Sequence, residues 1–307
     1  MALARASPLL LLLSAGVLGK AASLETNELA LWSRAPSLST SNPPPLPPPA
    51  PSAAPPDTAA SQRPESPAKA PRIVGGVGVG LGEFPYMVSL QDTSFGSVVH
   101  FCGGAIYDHT HFVTAAHCVS SIDITLLQVV AGENDLSVTE GHEQTLQVES
   151  IIIHPNFREI DYYNDIALLK VRGKFAFNEF VQPVQMPDGR VASGTCVVSG
   201  WGATEENGDT INLLKKVSVP VWTDSNCRQI YGSEKVLDSM VCAGFEEGGK
   251  DACHGDSGSP LMCYGSDSKA FFAGVMSWGY GCARPDRPSV YSEVSHFSQW
   301  LEETSNS

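Results

Sequence analysis

The sequence predicts an all-β domain over residues 73–307, of the sandwich or barrel type, with one helix at its C-terminal end. Short apolar runs recur along this segment between glycine and Asn/Asp turn signals. These runs are Gly104–Tyr107, Leu127–Ala131, Ile166–Val171, Thr195–Ser199, Val217–Val221, Ala273–Trp278 and Val290–Val294. The helix is predicted because Phe297, Trp300 and Leu301 follow the i, i+3, i+4 spacing, with Ser295 as its N-cap.

Residues 1–72 differ in composition from the rest of the 307-residue chain. They hold 14 of the 22 prolines and none of the eight cysteines. Their net charge is +2, against −16 for residues 73–307 and −14 for the whole chain. This acidic balance excludes a binder of nucleic acid or of anionic membranes, which would need a basic patch.

Residues 1–21 have the pattern of a secretory signal peptide, with Arg5 before the leucine run Leu9–Leu13 and small residues at Gly19 and Ala21. The apolar stretch of 11 residues from Pro8 is too short to span a bilayer, which takes about 20 residues. We therefore predict a secreted, extracellular protein without a membrane anchor.

Residues 22–72 are rich in proline, alanine and serine, and include a run of six prolines interrupted only by Leu46. Such a composition cannot bury a core, so we predict a disordered pro-segment. A ligand for a proline-recognising domain is the alternative interpretation.

Three short motifs predict a serine nucleophile with its supporting groups. Ser257 lies in Gly255-Asp-Ser-Gly-Ser-Pro, where glycines permit a tight turn whose backbone N–H groups converge on one oxyanion. A serine needs a base, and His117 in Thr-Ala-Ala-His-Cys is the candidate. Asp165, at the start of an apolar run, supplies the carboxylate that orients the base.

Together with Ile73-Val-Gly-Gly and Ser277-Trp-Gly, these motifs resemble the trypsin/chymotrypsin family of serine endopeptidases, whose order is also His, Asp, Ser. The resemblance covers residues 73–307 and implies two packed six-stranded antiparallel β-barrels and a C-terminal helix. By that resemblance Ser257 attacks the peptide carbonyl, while His117 moves the proton and Asp165 orients it, as in this family's well-known triad. The N–H groups of Gly255 and Ser257 would form the oxyanion hole.

The resemblance also implies a zymogen, with protein or peptide substrates, protein inhibitors and a monomeric state. Cleavage between Arg72 and Ile73 would free an α-amino group, which would pair with the buried carboxylate of Asp256 and order the site. A buried carboxylate without a partner is costly, so activity would wait for this cleavage.

The substrate pocket would be formed by residues that the resemblance places around the side chain before the cut bond: Asp251, Ala252, Ser277, Trp278, Gly279 and Ser289. Asp251 at the base would select Arg or Lys. Ala252 lacks a hydroxyl that many trypsins have, which favours Arg. Ser289 replaces a glycine, so that it either narrows the pocket or hydrogen-bonds the substrate cation. His254 is the one further histidine expected to contact substrate; the others are predicted at the surface or rim.

A structural calcium site is predicted in the loop from Glu133 to Glu143, which carries four carboxylates within 11 residues. The loop resembles the calcium loop of trypsins, whose ligands would here come from five residues. They are Glu133, the carbonyls of Asp135 and Val138, Glu140 through water, and Glu143. A solvated acidic loop is the alternative interpretation.

Eight cysteines allow 105 disulfide pairings, and the sequence spacing alone does not choose among them. A metal site formed by these cysteines is poorly supported because the sequence contains no Cys-x-x-Cys. The resemblance implies four pairs, Cys102–Cys118, Cys196–Cys263, Cys227–Cys242 and Cys253–Cys282.

Two other functions are weighed against the protease. An α/β-hydrolase would need Gly-x-Ser-x-Gly and a histidine after the serine, but Ser259 replaces the last glycine and only His296 follows Ser257 as a candidate base. A catalytically inactive, protease-like binding protein is the more serious alternative. Such proteins usually lose a triad residue or the activation site, whereas this sequence keeps them all.

Overall fold

The computed structural model describes residues 75–94, 96–191, 193–265 and 268–307. The predicted signal peptide, the proline-rich pro-segment and the bond between Arg72 and Ile73 lie outside these residues. Among the helices of the described residues, none combines the length and apolarity required to cross a bilayer.

The first half of the described chain forms a closed antiparallel barrel of six strands. These strands are β2 (Met87–Asp92), β3 (Val99–Ile106), β4 (His111–Thr114), β5 (Leu127–Ala131), β6 (Gln144–Ile153) and β7 (Ala167–Val171). Their order is β2-β3-β4-β7-β6-β5, and β5 pairs back onto β2. Leu90, Ile106, Phe112 and Leu169 are fully buried inside it, which supplies the apolar burial that stabilises the barrel.

The second half, joined by one short strand from the start of the described chain, forms a sheet of seven antiparallel strands, one more than predicted. These strands are β1 (Val77–Gly78), β8 (Thr195–Gly200), β9 (Lys215–Pro220), β10 (Met240–Ala243), β11 (Pro260–Tyr264), β12 (Ala270–Trp278) and β13 (Ser289–Glu293). Their order is β1-β9-β8-β11-β12-β13-β10. An isolated bridge between Val221 and Ala243 brings the ends of β9 and β10 together, so the six longer strands curl around one core. The extra strand is the two-residue β1, which pairs outside them along β9.

Three α-helices accompany the strands of the described residues: α1 (Ala116–Val119), α2 (Asp224–Tyr231) and α3 (Val294–Ser305). The predicted C-terminal helix is confirmed as α3, which buries Phe297 and Leu301. Its N-cap is Glu293 and not Ser295, because the helix starts one residue before the serine. The Ser295 hydroxyl donates instead to the Glu293 carboxylate, at 2.9 Å.

The structure forms the four disulfides that the family resemblance implied. Cys102–Cys118 joins β3 to α1, the helix that carries His117. Cys253–Cys282 joins the segment before Ser257 to the chain beyond β12. Cross-links of this kind each add roughly 2–4 kcal/mol to the free energy of unfolding.

Candidate active site

The structure brings His117 and Asp165 together. His117 lies in α1, directly after β4, and Asp165 lies two residues before β7, which pairs with β4. The carboxylate accepts the backbone N–H of His117 at 2.8 Å and faces the ring Nδ1 at 2.7 Å. A carboxylate that only accepts hydrogen bonds places the proton on Nδ1 and leaves Nε2 as a base. Asp165 is fully buried, whereas 19% of the His117 side chain is exposed.

Two residues of the second sheet also hydrogen-bond Asp165. The hydroxyl of Ser277, in β12, donates to Oδ2 of Asp165 at 2.5 Å. The hydroxyl of Ser292, in β13, donates to the Asp165 backbone carbonyl at 2.8 Å. Ser277 was predicted to line the substrate pocket, and its hydroxyl also supports the carboxylate of Asp165. These contacts place the site between the two halves of the fold.

Ser257 lies in the turn before β11, anchored to both halves of the fold. Its carbonyl accepts the N–H of Gly103, in β3, at 2.8 Å, and the N–H of Gly258 donates to the carbonyl of Met276, in β12, at 2.8 Å. Gly255 and Gly258 have φ of 93° and 78°, which glycine adopts without strain.

Among the described residues, the N–H groups of Gly255 and Ser257 have no acceptor, so both are available to an oxyanion. The Ser257 hydroxyl and His117 are not hydrogen-bonded to each other within the same residues. Such contacts often tighten only when substrate binds.

Asp256, the residue before Ser257, is completely buried. Its carboxylate accepts the N–H groups of Gly202 at 2.8 Å and of Cys253 at 2.9 Å. Burial raises the pKa of Asp256 to about 6, although both hydrogen bonds oppose this. In the part of the chain that the structure describes, no cationic side chain pairs with it. The site therefore holds an acid that would gain from a positively charged partner.

The predicted pocket base consists of Asp251, 2% exposed, and Ser289, 1% exposed and the first residue of β13. Oδ1 of Asp251 accepts the Ser289 hydroxyl and the Ala252 N–H, both at 2.8 Å. Burial raises the pKa of Asp251 to about 7, with the Ser289 hydrogen bond acting against it. A Cβ atom on Gly279, beyond Trp278, would lie 3.5 Å from the Ser289 hydroxyl, so this hydroxyl faces the opposite wall.

The acidic loop brings three of its predicted ligands together. Carboxylate oxygens of Glu133, Glu140 and Glu143 lie within 4.8 Å of one another. Burial, and then the charge of Glu143, raise the pKa of Glu133 to about 7. The carboxylate of Asp135 accepts the N–H and hydroxyl of Ser137, and its carbonyl, the predicted ligand, accepts the N–H of Val138 at 3.0 Å. Crowded carboxylates of this kind fit a hard divalent cation.

Two further residues, His100 and Tyr162, lie next to the site. His100 is buried, donates from Nε2 to the Gly255 carbonyl at 3.1 Å, and has its pKa lowered to about 4 by burial. The prediction of surface or rim positions was wrong for His100, and for His111, which is also buried. Tyr162 has a φ of 55° and sets its ring edge-on to His117 at 5.3 Å. No local pattern marks His100, because its contact with Gly255 joins distant parts of the chain.

Comparison with known proteins agrees with this geometry. The family model for trypsin matches residues 73–301. Trypsin-1 from Astacus astacus is 50% identical over 234 residues, covering 75% of this chain and 98% of that protein. Trypsin from Sus scrofa is 40% identical over 235 residues, covering 76% and 95% of the two chains. Serine protease 1 from Rattus norvegicus is 42% identical over 235 residues, covering 76% and 89%.

Fold and site together define a serine endopeptidase built on two β-barrel-like halves. The chain belongs to the trypsin family, whose model spans most of it. The predicted fold class and enzyme class are therefore confirmed.

Proposed function

We propose that this protease is secreted as a zymogen, is activated by cleavage between Arg72 and Ile73, and then hydrolyses peptide bonds after Arg and Lys. The observation that carries the specificity is the buried carboxylate of Asp251, which the family resemblance places at the base of the substrate pocket. In the described part of the chain, no basic side chain is hydrogen-bonded to this carboxylate. A desolvated carboxylate of this kind is best stabilised by the cationic end of a substrate side chain.

The proposed chemistry follows from the contacts of the triad. Nε2 of His117 takes the hydroxyl proton of Ser257 while its oxygen attacks the peptide carbonyl carbon. The imidazolium that forms is stabilised by the buried carboxylate of Asp165, 2.7 Å from Nδ1. His117 then gives its proton to the leaving amine, and a water molecule repeats the sequence to release the acyl group.

The N–H groups of Gly255 and Ser257 would receive the charge that develops on the carbonyl oxygen. Fixed donors of this kind need no reorganisation during the reaction. Removing one donor from such a hole typically costs about 100- to 1,000-fold in rate.

The proposed activation is supported by the environment of Asp256. Its carboxylate is fully buried, accepts two backbone N–H groups and has a raised pKa. An α-amino group released at Ile73 would supply the positive charge that this carboxylate lacks among the described residues. The gain from that pair would order the neighbouring Gly255 and Ser257.

We propose a calcium ion in the acidic loop, and proteins as both substrates and inhibitors. The side chains of Glu133 and Glu143, the carbonyls of Asp135 and Val138, and Glu140 through water would hold a structural calcium ion that neutralises the loop. Trypsin-like proteases act on protein substrates and are bound by protein inhibitors, and we propose both for this chain. We also propose that it acts as a monomer, with the predicted residues 1–21 directing its secretion.

The test is to express the full chain in a secreting cell and sequence the N-termini of the secreted and activated proteins. The activated protein is then profiled on a peptide library, with Asp251→Ser as the matched variant. We expect a new terminus at Ile73 and cuts after Arg and Lys that Asp251→Ser loses. Cuts after Phe or Leu would overturn the specificity. If a serine-directed phosphonate failed to label the cleaved protein, an inactive binding protein would be favoured instead.

A further inference from the structure

One oxygen of Asp251 is already saturated by the protein. Oδ1 accepts two hydrogen bonds of 2.8 Å, from the Ser289 hydroxyl and from the Ala252 N–H. Because a carboxylate oxygen offers two lone pairs, a substrate cation is left with Oδ2. The carboxylate, which the backbone N–H of Ala283 also stabilises, therefore presents one oxygen to a ligand instead of an open pair.

Ser289 also changes the shape of the pocket base. It is 1% exposed, and its hydroxyl oxygen lies 3.5 Å from where a Cβ atom on Gly279 would stand. A glycine at position 289 would leave this volume empty, so the serine shortens the pocket. Since the hydroxyl proton is donated to Asp251, only oxygen lone pairs of Ser289 remain for a ligand.

These two features suit an ammonium better than a guanidinium. A guanidinium pairs best when its planar fork meets both oxygens of one carboxylate. A lysine ammonium is compact, ends a side chain of shorter overall reach than arginine and carries three donors that rotate freely. Oδ2 of Asp251 and Oγ of Ser289 would accept two of those donors.

We propose that Ser289 is a specificity-determining residue that shifts the pocket towards lysine by occupying one oxygen of Asp251 and adding its own acceptor. This inference rests on the proposed role of Asp251 in binding a basic side chain. It opposes the preference for Arg that the missing hydroxyl of Ala252 suggests, and Ser289 outweighs that effect because it acts on the carboxylate itself.

The experiment measures kcat/KM of the activated enzyme on two peptides that differ only in Lys or Arg before the cut bond. Ser289→Gly frees Oδ1 and deepens the base, whereas Ser289→Ala removes the hydroxyl and keeps the Cβ atom. Titration with a serine-directed phosphonate counts correctly folded sites, so that misfolding does not enter the rates. The expected result is a Lys/Arg ratio that falls about tenfold in both variants, the factor that corresponds to one ordinary hydrogen bond.

A second measurement separates hydrogen bonding from volume. The Ser289 hydrogen bond lowers the pKa of Asp251 against the effect of burial, so its loss raises that pKa further. Binding of a small amidinium inhibitor should then weaken at a higher pH in Ser289→Ala than in the wild type. If the serine acted only through its volume, Ser289→Ala would bind the inhibitor with the same pH dependence as the wild type.

The inference is overturned if Ser289→Gly leaves the Lys/Arg ratio within about twofold of the wild type, less than half the effect of one hydrogen bond on a logarithmic scale. It is also overturned if Ser289→Ala behaves as the wild type in both measurements, because volume alone would then act. Failure of the proposed function looks different, since the wild type would cut after neither Lys nor Arg.

Discussion

The hydroxyl of Ser277, on β12, donates a 2.5 Å hydrogen bond to the carboxylate of Asp165, which precedes β7. This contact joins residues 112 positions apart and crosses between the halves of the fold. Because the same Oδ2 atom faces His117, the orientation of this proposed base depends on the packing of both halves.

The Ser277→Ala variant should therefore lower kcat. Hydrogen bonds to charged groups are worth about 1.5–3 kcal/mol, so the expected loss is about 10- to 100-fold. Ser292→Ala is the matched control, since Ser292 donates only to the Asp165 backbone carbonyl and leaves the carboxylate oxygens in place. Steady-state kinetics of the two activated variants measure the effect on kcat. An equal loss of kcat in Ser277→Ala and Ser292→Ala would contradict the role given to the Ser277 hydroxyl.

The stability of the uncleaved chain should depend on pH through Asp256. Burial raises its folded pKa to about 6 from an ordinary value of 3.8, so the folded chain holds a proton that the unfolded chain has lost. The free energy of unfolding should fall as pH rises from about 4 to about 6, by about 3 kcal/mol for this group. Urea unfolding across that range, with the disulfides intact, measures the slope.

Asp256→Asn should flatten that slope, whereas Asp188→Asn, at an exposed position, should not. The raised pKa values of Asp251 and Glu133 also make the free energy of unfolding fall with rising pH, up to about pH 7. The contribution of Asp256 is therefore the difference in slope between the wild type and Asp256→Asn. After cleavage at Arg72, an amine paired with Asp256 should remove the same part of the slope. An unchanged slope in the cleaved protein would count against the proposed ion pair.

Calcium should stabilise the protein through the acidic loop. At about 100 times its Kd, a ligand adds about 2.7 kcal/mol to the free energy of unfolding, or roughly 5 to 10 °C in Tm for a domain of this size. Glu133→Gln should abolish the shift, and Glu149→Gln, exposed on β6 outside the cluster, should keep it. Calorimetry of each protein with calcium and with a chelator measures the shift in Tm. Identical unfolding curves of the wild type under the two conditions would reject the site.

The sequence predicted residues whose roles lie in short local motifs, and it was less informative about contacts between distant segments. Ser257, His117 and Asp165 stand in recognisable runs, whereas the bond between Ser289 and Asp251 spans 38 positions. That bond exists because β13 begins at residue 289 in register with β10, which no local pattern encodes.

The missed secondary structure has a similar physical cause. Strand β4 has only four residues, too few for a periodic signal, and half-exposed β6 mixes apolar and polar side chains along its length. Helix α2 buries only Cys227 and Tyr231, so its apolar stripe is too narrow to detect. Tertiary packing decides these elements more than their own sequences do.

Gly258→Ala should abolish activity and destabilise the fold. A Cβ atom there would stand 2.2 Å from the Thr114 hydroxyl and 2.5 Å from the Gly103 carbonyl, so the turn that carries Ser257 would have to leave β3. Gly173→Ala is the matched control, because Gly173 also has a positive φ, of 100°, but has open space around it. Both variants pay the backbone cost of roughly 1–2 kcal/mol, and only Gly258→Ala adds a clash with main-chain atoms. Phosphonate labelling and thermal unfolding of the two variants should therefore diverge, and equal labelling would show that the turn tolerates the added methyl group.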